Sequence, residues 1–376
     1  MRLTILTFCL TILLMGTGRG EDAKPQISIQ KTILALQIQA GPWTGSLKDH
    51  PDAAGFRHYF VSDGLRSVAS DPAAADVVEA YLGFCLKQAD PKTGLWDDVP
   101  DIRNRGMEVV DADDSNAALF ILLATTFHRT KRGSAWWDSH SESVQRIADL
   151  VLIENQLPSG LVTVFSKRRV FREPDRTPLR LGLQQSAYLM DSCEVYAALH
   201  ALALVMRERA DSDGPRYEAA AMRVAAGIRA LFQEPASAFY ILDEDKAAMP
   251  DFYPADTVKF YPHRMAQVFP QLFDVPLGDA EETRAMYEKA WGYANSKGDW
   301  NAADVADGST EDFPVMIRGL VALQRGDRKS TQEFVDWYSR LVNEEKRDSC
   351  FMIHEMGAAL RIEQELKHRR SPHKHR

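Results

Sequence analysis

Residues 186–206, SAYLMDSCEVYAALHALALVM, contain the stretch that decides the fold. From Val195 onward the segment is apolar nearly all the way round a helix, which predicts a helix buried on every side. Segment 139–153 has one polar face instead, as is typical of a helix at the surface. The sequence therefore predicts a mostly α-helical protein with inner and outer helices. Further long helices with apolar periodicity are predicted at 74–89, 115–130 and 215–232.

A short segment, in which a small residue is followed by aromatic or β-branched residues, recurs six times along the chain. The gaps between occurrences run from 40 to 78 residues, and each gap has room for two helices. Six helical hairpins around a ring form an (α/α)6 toroid, in which each pair buries its faces against its neighbours. This all-α toroid is the predicted fold, and an open α-solenoid is the alternative that fits the same helices. The segments are 54–56, 94–96, 160–162, 238–240, 298–300 and 349–351.

The first residues of the chain are typical of a secretory signal. Met1 and Arg2 precede a run of 13 mostly apolar residues, Leu3 to Met15, and then small and polar residues. That run is too short to span a bilayer, which takes about 20 residues. We expect residues 1–20 to be a signal peptide, 21–366 a single domain and 367–376 a basic disordered tail. We also expect a periplasmic or secreted protein with no later membrane-spanning segment.

Charge, cysteine content and motifs exclude several classes of function. The formal net charge is −8, which disfavours nucleic acid and anionic membranes as partners. Beyond the signal, Cys85, Cys193 and Cys350 are widely spaced, so they form neither a disulfide framework nor a zinc site, although one bridge could form. No phosphate-binding glycine loop, zinc motif or serine nucleophile elbow occurs. We therefore predict no cofactor and no metal.

The stretch VVDADDSNAALF, residues 109–120, places three carboxylates directly in front of an apolar helix. Asp113 or Asp114 is expected to be the N-cap of that helix, because aspartate accepts from the free N–H groups of the first turn. Capping does not explain Asp111. We therefore expect Asp111 to face a functional site.

In a toroid of this kind the loops before the inner helices meet at one end, and here those loops are acidic and aromatic. Aromatic rings stack on sugar C–H faces, and cleavage of a glycosidic bond needs one carboxylic acid and a second carboxylate. We predict a carbohydrate partner, with at least one of Trp96 and Trp300 as a sugar platform unless both fill the core. Gln184, Tyr188 and Asp191 are expected to share one helix face, either as a subsite or as a buried cluster. The predicted substrate-binding residues are Trp96, Asp113, Asp114, Tyr188, Asp191, Lys259, Tyr261 and Trp300.

Three stretches together resemble the family 8 glycoside hydrolases. The first is Val61-Ser62-Asp63-Gly64, which is similar to the family's V-S-E-G with Asp in place of Glu. The second is Asp111-Ala112-Asp113 with Ala117, which is similar to the family's D-[AG]-D-x-x-[IM]-A, although Asn116 differs from the expected Ile or Met. The third is 256–259 with Pro262, which resembles D-A-x-R-x-P with Lys259 in place of Arg. The resemblance implies a secreted (α/α)6 enzyme that hydrolyses a β-linked glycan with inversion. It also implies Asp63 as the proton donor, Asp256 as the base and Asp111 against the sugar at the cleavage point.

Two other functions fit the same predicted fold. A polysaccharide lyase could use Tyr261, His263 and Arg264 as base and charge neutraliser. A non-catalytic glycan-binding or exopolysaccharide-assembly protein is favoured by Asp63, whose side chain is one methylene shorter than the glutamate of the family pattern.

Overall fold

The computed structural model describes residues 28–103, 106–172, 175–231, 241–243, 260–301, 316–345 and 352–370. The predicted signal peptide, Asp256, Lys259 and residues 371–376 of the predicted tail lie outside the described residues. The last helix runs to Arg370, so residues 367–370 are helical and the prediction of a tail disordered from 367 is wrong for them.

Six helical segments form an inner ring in the described part of the chain. Each contacts the next along the chain and the last contacts the first, so the ring is closed. The all-α (α/α)6 toroid is therefore confirmed, and the open solenoid is wrong. In chain order the inner segments are α2 (His58–Arg66), α4 (Asp113–His128), α7 (Leu189–Glu208), the stretch from a π-helical turn (Phe260–Arg264) to α9 (Phe269–Leu272), α11 (Met316–Gln324) and α13 (Ile353–Arg370).

An outer helix packs against the inner ring in each of the six hairpins. The outer helix α5 continues into a π-helical turn, Ala148–Ile153, and buries Trp136, Trp137 and Val144 while its polar face stays outside. The predicted surface segment 139–153 is thus an outer helix. The outer helices are α1 (Ile29–Ala35), α3 (Ala75–Gln88), α5 (Lys131–Ile147), α8 (Gly214–Leu231), α10 (Ala280–Ala294) and α12 (Arg328–Arg340).

Ring closure depends on a close approach between α2 and α13. A Cβ on Gly357 would lie 2.8 Å from the Cα of Gly64, and a Cβ on Gly64 would lie 2.6 Å from the carbonyl oxygen of Ile353. Both distances are far inside van der Waals contact, so neither position has room for a side chain. The two glycines let the first and last inner helices touch through their backbones.

Four of the six predicted short segments are described, and each precedes an inner helix: 54–56, 94–96, 160–162 and 298–300. The first is joined by a backbone pair to the strand that follows the second: Phe56 N–H donates to Val99 O at 2.8 Å and Val99 N–H donates to Phe56 O at 3.1 Å. Segments 238–240 and 349–351 lie outside the described residues. The four described segments thus precede inner helices, as the sequence predicts.

Two small β-ribbons lie beside the entries to α4 and α7. Strands β1 (Asp97–Asp101) and β2 (Gly106–Val109) form an antiparallel hairpin ahead of α4. Strand β3 (Ser186–Tyr188) pairs with β4 (Ile241–Asp243), and a short helix α6 (Pro178–Gly182) precedes β3. The helix predicted from residue 186 therefore begins at Leu189, because its first three residues are extended and paired.

The helix α7 is long and apolar enough to cross a membrane by length and composition, and no other described helix is. It is an inner helix, and its buried residues include Leu189, Val195, Leu199 and Leu202. Its apolar character is explained by burial at the centre of the toroid.

Candidate active site

A cavity of about 650 Å³ opens where the amino ends of the inner segments meet. All six inner segments contribute to its wall: Phe60 from α2, Ser115 from α4, Met190 from α7, Tyr261 and Phe269 from the fourth segment, Ile317 from α11 and His354 from α13. The amino ends of helices carry partial positive charge, so they favour acidic side chains nearby. The ring therefore builds one bowl at one end, as the positions of the acidic loops predict.

Five of the residues predicted for the site line this cavity. They come from four of the inner segments and the stretches that lead into them. Gln184, Tyr188 and Asp191 do not share a helix face, because Tyr188 lies in β3 and Asp191 in the first turn of α7. Further aromatic lining comes from Tyr59, Phe60 and Phe165. The five predicted residues are Asp63, Asp111, Tyr188, Asp191 and Tyr261.

Asp63 lies within α2 with its carboxylate held by arginines. Arg66 Nη1 donates to Asp63 Oδ1 at 2.9 Å, and Arg361 Nη1 lies 4.0 Å from the same oxygen. The side chain is 19% exposed and reaches the cavity wall. These arginines place positive charge beside the carboxylate of Asp63.

Asp111 and Asp191 form the electrostatic centre of the bowl. Asp111 is exposed just after β2, whereas Asp191 is partly buried and its Oδ2 is shielded from solvent without a hydrogen-bond partner. Burial, and then the negative charge of Asp111, raise the pKa of Asp191 from 3.8 to about 8. Asp191 is therefore a carboxylic acid at neutral pH, in the same cavity as the exposed side chain of Asp111.

Asp98 is a second acid of the wall with a raised pKa; it belongs to one of the acidic loops expected at the bowl, although it is not among the predicted site residues. Burial raises its pKa to about 7, although His58 N–H donates to its Oδ1 at 2.9 Å and opposes the shift. Asp98 lies in β1, which is inserted between a short segment and its inner helix. It follows Trp96 and Asp97 in the sequence, and this run of acids was the available signal.

Glu194 was also missed, and it lies buried beneath the cavity on α7. The hydroxyl of Tyr59, which lines the cavity, donates to Glu194 Oε1 at 2.8 Å, and Oε2 is buried without a hydrogen-bond partner. Burial, followed by the charge of Asp191, raises the pKa of Glu194 well above its ordinary value. The spacing of Asp191 and Glu194, three residues apart on one helix face, was the signal in the sequence.

Asp114 is buried at the start of α4, next to these acids and outside the cavity wall. Its pKa is raised well above the ordinary value by burial and then by Asp191. One oxygen accepts from Ser115 N–H at 2.8 Å and the other has no partner. The prediction that Asp114 binds substrate directly is wrong for this geometry, because its side chain has no exposed surface.

Asp113 is a structural residue that does not reach the cavity. Arg169 donates to both of its carboxylate oxygens at 2.5–3.0 Å, and Ser166 N–H donates to Oδ2 at 3.0 Å. Arg169 also donates to Asp97 and to the carbonyl of Trp96, so it ties β1 to α4. The predicted sugar contact of Asp113 is therefore wrong. This network positions the strand and turn that carry Asp111.

The prediction that Asp113 or Asp114 is the N-cap is also wrong. The N-cap residue of α4 is Ala112, which makes no side-chain cap, and the two aspartates lie in the first turn. The carboxylate of Asp113 is taken by Arg169 rather than by the free N–H groups of the helix. The amide of Asp113 instead donates to the carbonyl of Val164 at 2.8 Å, so a neighbouring loop satisfies that group.

Trp96 and Trp300 are core residues, so the predicted sugar platform is wrong for both. They are 5% and 2% exposed, and neither lines the cavity. Trp96 Nε1 donates to the carbonyl of Cys85 at 2.7 Å, and Trp300 packs between Phe260 and Trp291. The aromatic surface of the bowl comes from tyrosines and phenylalanines instead.

The fold places the residues of the lyase alternative in different environments. Tyr261 lines the cavity and is 39% exposed, but Arg264 is 1% exposed and forms an ion pair with Asp299. A guanidinium that is buried and paired does not neutralise a bound uronic acid. The lyase interpretation therefore loses its charge neutraliser.

Within the described residues, no group of three or more histidine, cysteine or acidic side chains has the arrangement of a metal site. Cys85 and Cys193 are buried free thiols, and Cys350 lies outside the described residues. Burial raises the pKa of both thiols, which makes them poor nucleophiles.

No family model and no curated protein matches the sequence. Among solved structures, the chain is similar to a family 76 glycoside hydrolase from a bovine Bacteroides thetaiotaomicron strain, with a TM-score of 0.56 and 10% identity over 91% of this chain and 76% of that one. It is also similar to an α-L-rhamnosidase from Dictyoglumus thermophilum, with a TM-score of 0.55 and 12% identity over 89% of this chain. The match spans only 36% of the rhamnosidase, and neither protein is described as a family 8 enzyme. At such low identity the likeness concerns the fold, and the chain is an all-α (α/α)6 toroid.

Proposed function

We propose that the protein is a glycoside hydrolase whose general acid is Asp191. The observation that carries this proposal is the pairing of Asp191, protonated at neutral pH, with the exposed carboxylate of Asp111 in one cavity. Glycosidic cleavage needs one carboxylic acid to protonate the leaving oxygen and one carboxylate to act as base or to stabilise positive charge. Both of the similar solved structures named above are described as glycoside-cleaving enzymes, which supports the assignment.

The proton donor implied by the family 8 resemblance is Asp63, and we favour Asp191 over it. Asp63 already forms an ion pair with Arg66, whereas Asp191 keeps its proton to about pH 8. Asp63 then binds sugar hydroxyls at the wall. Asp256, the base implied by the same resemblance, lies outside the described residues, so Asp111 and Asp256 both remain candidates for the second carboxylate.

The finer features of the reaction rest on the family 8 resemblance. We propose a β-linked glycan as substrate and inversion at the anomeric carbon, for which the acid and base carboxyls stand about 6.5 to 9.5 Å apart. We also propose that residues 1–20 direct export to the periplasm or the medium. Proton NMR of the first anomer released tests inversion, and cell fractionation tests export.

A release assay tests the central proposal. The purified protein is incubated with soluble β-glucans, xylan and chitosan, and new reducing ends are counted. We expect turnover on at least one glycan, and a loss of about 10²- to 10⁴-fold in Asp191→Asn, because general acid catalysis contributes that much. Asp52→Asn, at an exposed position away from the cavity, is the control. Full activity of folded Asp191→Asn would remove Asp191 from the mechanism.

One observation favours a second function, that of a glycan-binding protein without turnover. Asp63, at the position of the family's proton donor, is one methylene shorter than the family's glutamate and forms an ion pair with Arg66. If the protein binds glycans but releases no reducing ends from any of them, the binding function replaces the enzymatic one.

A further inference from the structure

Asp98 is held in the cavity wall by backbone contacts around β1. Its neighbour Val99 exchanges two backbone hydrogen bonds with Phe56, which lies just before α2. A Cβ on Gly55 would lie 1.8 Å from the carbonyl oxygen of Val99, so only glycine lets the two segments approach this closely. The position of Asp98 is therefore set by the entry to α2 as well as by its own strand.

The carboxyl group of Asp98 lies at the amino end of α2, with one of its oxygens bound. The N-cap residue of α2 is Arg57, whose side chain makes no cap hydrogen bond. Asp98 Oδ1 instead accepts from the backbone N–H of His58 at 2.9 Å, so an acid from β1 caps the helix. Oδ2 accepts no hydrogen bond from the residues that the structure describes, although the residue lines the cavity. The fold thus uses one oxygen of Asp98 and leaves the other without a protein donor in that part of the chain.

The surroundings of Asp98 are unfavourable for an acid whose only task is to cap a helix. Burial raises its pKa to about 7, and the negative charges of Asp111 and Glu108 add to this effect, while Arg57 opposes it. Glu108 is also the cross-strand partner of Asp98 in the β-ribbon. A neutral side chain such as serine or asparagine would cap the same N–H group without this cost. An acid that titrates near neutral pH in the wall of a cleft is typical of a functional residue.

Asp111 is the electrostatic neighbour that Asp98 and Asp191 share. Its negative charge contributes to the raised pKa of both, so it lies near both side chains. Asp98 and Asp191 themselves enter the wall from different elements, β1 and the first turn of α7. All three acids line the same cavity. A sugar held against Asp111 is therefore close to two further acids that come from separate parts of the wall.

We propose that Asp98 is the general base of the hydrolysis, in place of Asp111 or Asp256. This inference rests on the proposed glycosidase function, including inversion, and adds a catalytic residue to it. Asp191 remains the general acid. Asp111 keeps the role of stabilising the positive charge that develops at the anomeric carbon.

The reaction step balances with these three residues and one water molecule. The carboxylate of Asp98 takes a proton from the water as the water oxygen bonds to the anomeric carbon. The bond from this carbon to the leaving oxygen breaks, and the leaving oxygen receives the proton of Asp191. Solvent then removes the proton from Asp98 and returns one to Asp191, so each cleavage consumes one water molecule.

Asp98→Asn tests the base while keeping the cap, because the amide oxygen of asparagine can still accept from His58 N–H. The substrate is whichever of soluble β-glucan, xylan and chitosan the wild type hydrolyses. We expect kcat/KM to fall by about 10²- to 10⁴-fold, the usual contribution of a general base. The pH profile of kcat/KM should also lose its rising limb near pH 7, because that limb reports the ionisation of Asp98. The control is Asp101→Asn at the other end of β1, where the carboxylate pairs with Arg103, and it should stay within about twofold of wild type.

Azide separates a missing base from a damaged fold. Azide is a nucleophile that attacks without a base, and the shorter side chain of Asp98→Ala leaves room for it beside the sugar. We expect sodium azide to raise glycan cleavage by this variant at least about tenfold over the same concentration of sodium chloride, because part of the lost base contribution is recovered. The product should be a glycosyl azide of inverted anomeric configuration, which proton NMR identifies. Asp111→Ala should not be rescued, because it lacks charge stabilisation rather than a base.

The outcomes separate this inference from the proposed function. Wild-type activity in folded Asp98→Asn, or azide rescue of Asp111→Ala but not of Asp98→Ala, would overturn the base assignment. If Asp98→Ala does not fold, the profile of Asp98→Asn decides the question, and a rising limb near pH 7 that persists in this variant overturns the assignment. If only Asp191→Asn loses activity, the glycosidase function stands without this inference. If the wild type cleaves no glycan, the proposed function fails and the base assignment fails with it.

Discussion

Replacing Asp191 by Asn should make the protein more stable and less active at the same time. The folded chain holds the Asp191 proton to about pH 8, while an unfolded aspartate releases it near 3.8. Between these values the unfolded state binds fewer protons than the folded state, so stability falls as pH rises through the window. Each pH unit is worth about 1.4 kcal/mol for one group. From pH 5 to pH 7 the wild type should lose about 2 to 3 kcal/mol through this carboxyl.

Asparagine keeps the shape of the side chain and cannot ionise, so the stability of the variant does not fall with pH through this position. Urea unfolding at pH 5, 6 and 7, followed by circular dichroism, gives the free energy of unfolding of both proteins. We expect the stability of Asp191→Asn relative to wild type to increase by about 2 to 3 kcal/mol from pH 5 to pH 7. Glycan hydrolysis measured on the same preparations should fall by about 10²- to 10⁴-fold.

The control is Asp52→Asn, whose carboxyl is exposed and should leave the pH slope of stability unchanged. Two results would refute the reasoning. One is an Asp191→Asn variant with the wild-type pH slope, which would mean that the folded Asp191 is ionised at neutral pH. The other is a variant that is less stable at pH 7 yet fully active, which would make Asp191 a structural residue.

Three further predictions concern neighbouring parts of the molecule. Asp113→Ala removes the carboxylate beside the buried guanidinium of Arg169 and should lower the free energy of unfolding in urea by about 3 to 5 kcal/mol. The control Arg132→Gln breaks only exposed ion pairs and should lower it by less than about 1 kcal/mol. Asp111→Asn should keep the wild-type melting temperature within a few degrees while reducing hydrolysis or glycan binding at least about tenfold; a large loss of stability with unchanged function would show a structural role. Trp300→Ala should cost about 3 to 5 kcal/mol by opening a cavity in the core, and calorimetric glycan affinity of the folded fraction should not change.

The helices of this chain are predictable because a helix that buries one face must repeat its apolar residues with the helical period. Segments 115–130 and 215–232 differ from the observed helices by one or two residues at each end. The entry to α7 is less predictable, because Ser186–Tyr188 is extended only through pairing with β4, a strand that lies more than 50 residues further along. Long-range pairing of this kind leaves no local pattern in the sequence.

The site was predictable in position and only partly in its residues. Asp63, Asp111 and Asp191 were predicted for the site and line the cavity. Asp63 was predicted from the family 8 resemblance, and Asp111 from its place in the acidic stretch before an inner helix. The sequence could not show whether an acid in the first turn of a helix faces the bowl or an arginine, and Asp113 faces Arg169, which lies 56 residues away. The tryptophans were ambiguous for the same reason, since a large ring before a helix fits either a core or a cleft.

The backbone contact between Gly64 and Gly357 determines at which stage of folding the cavity can form. These residues lie in the first and last inner helices, about 300 positions apart in the sequence, and their approach completes the ring. Closing so long a loop carries a large entropy cost and belongs to the slow contacts of folding. The earlier hairpins can pack on one another as the chain is made, but the wall contributed by His354 arrives only with α13. Activity should therefore appear in a single late step of refolding, after most of the helical signal has returned.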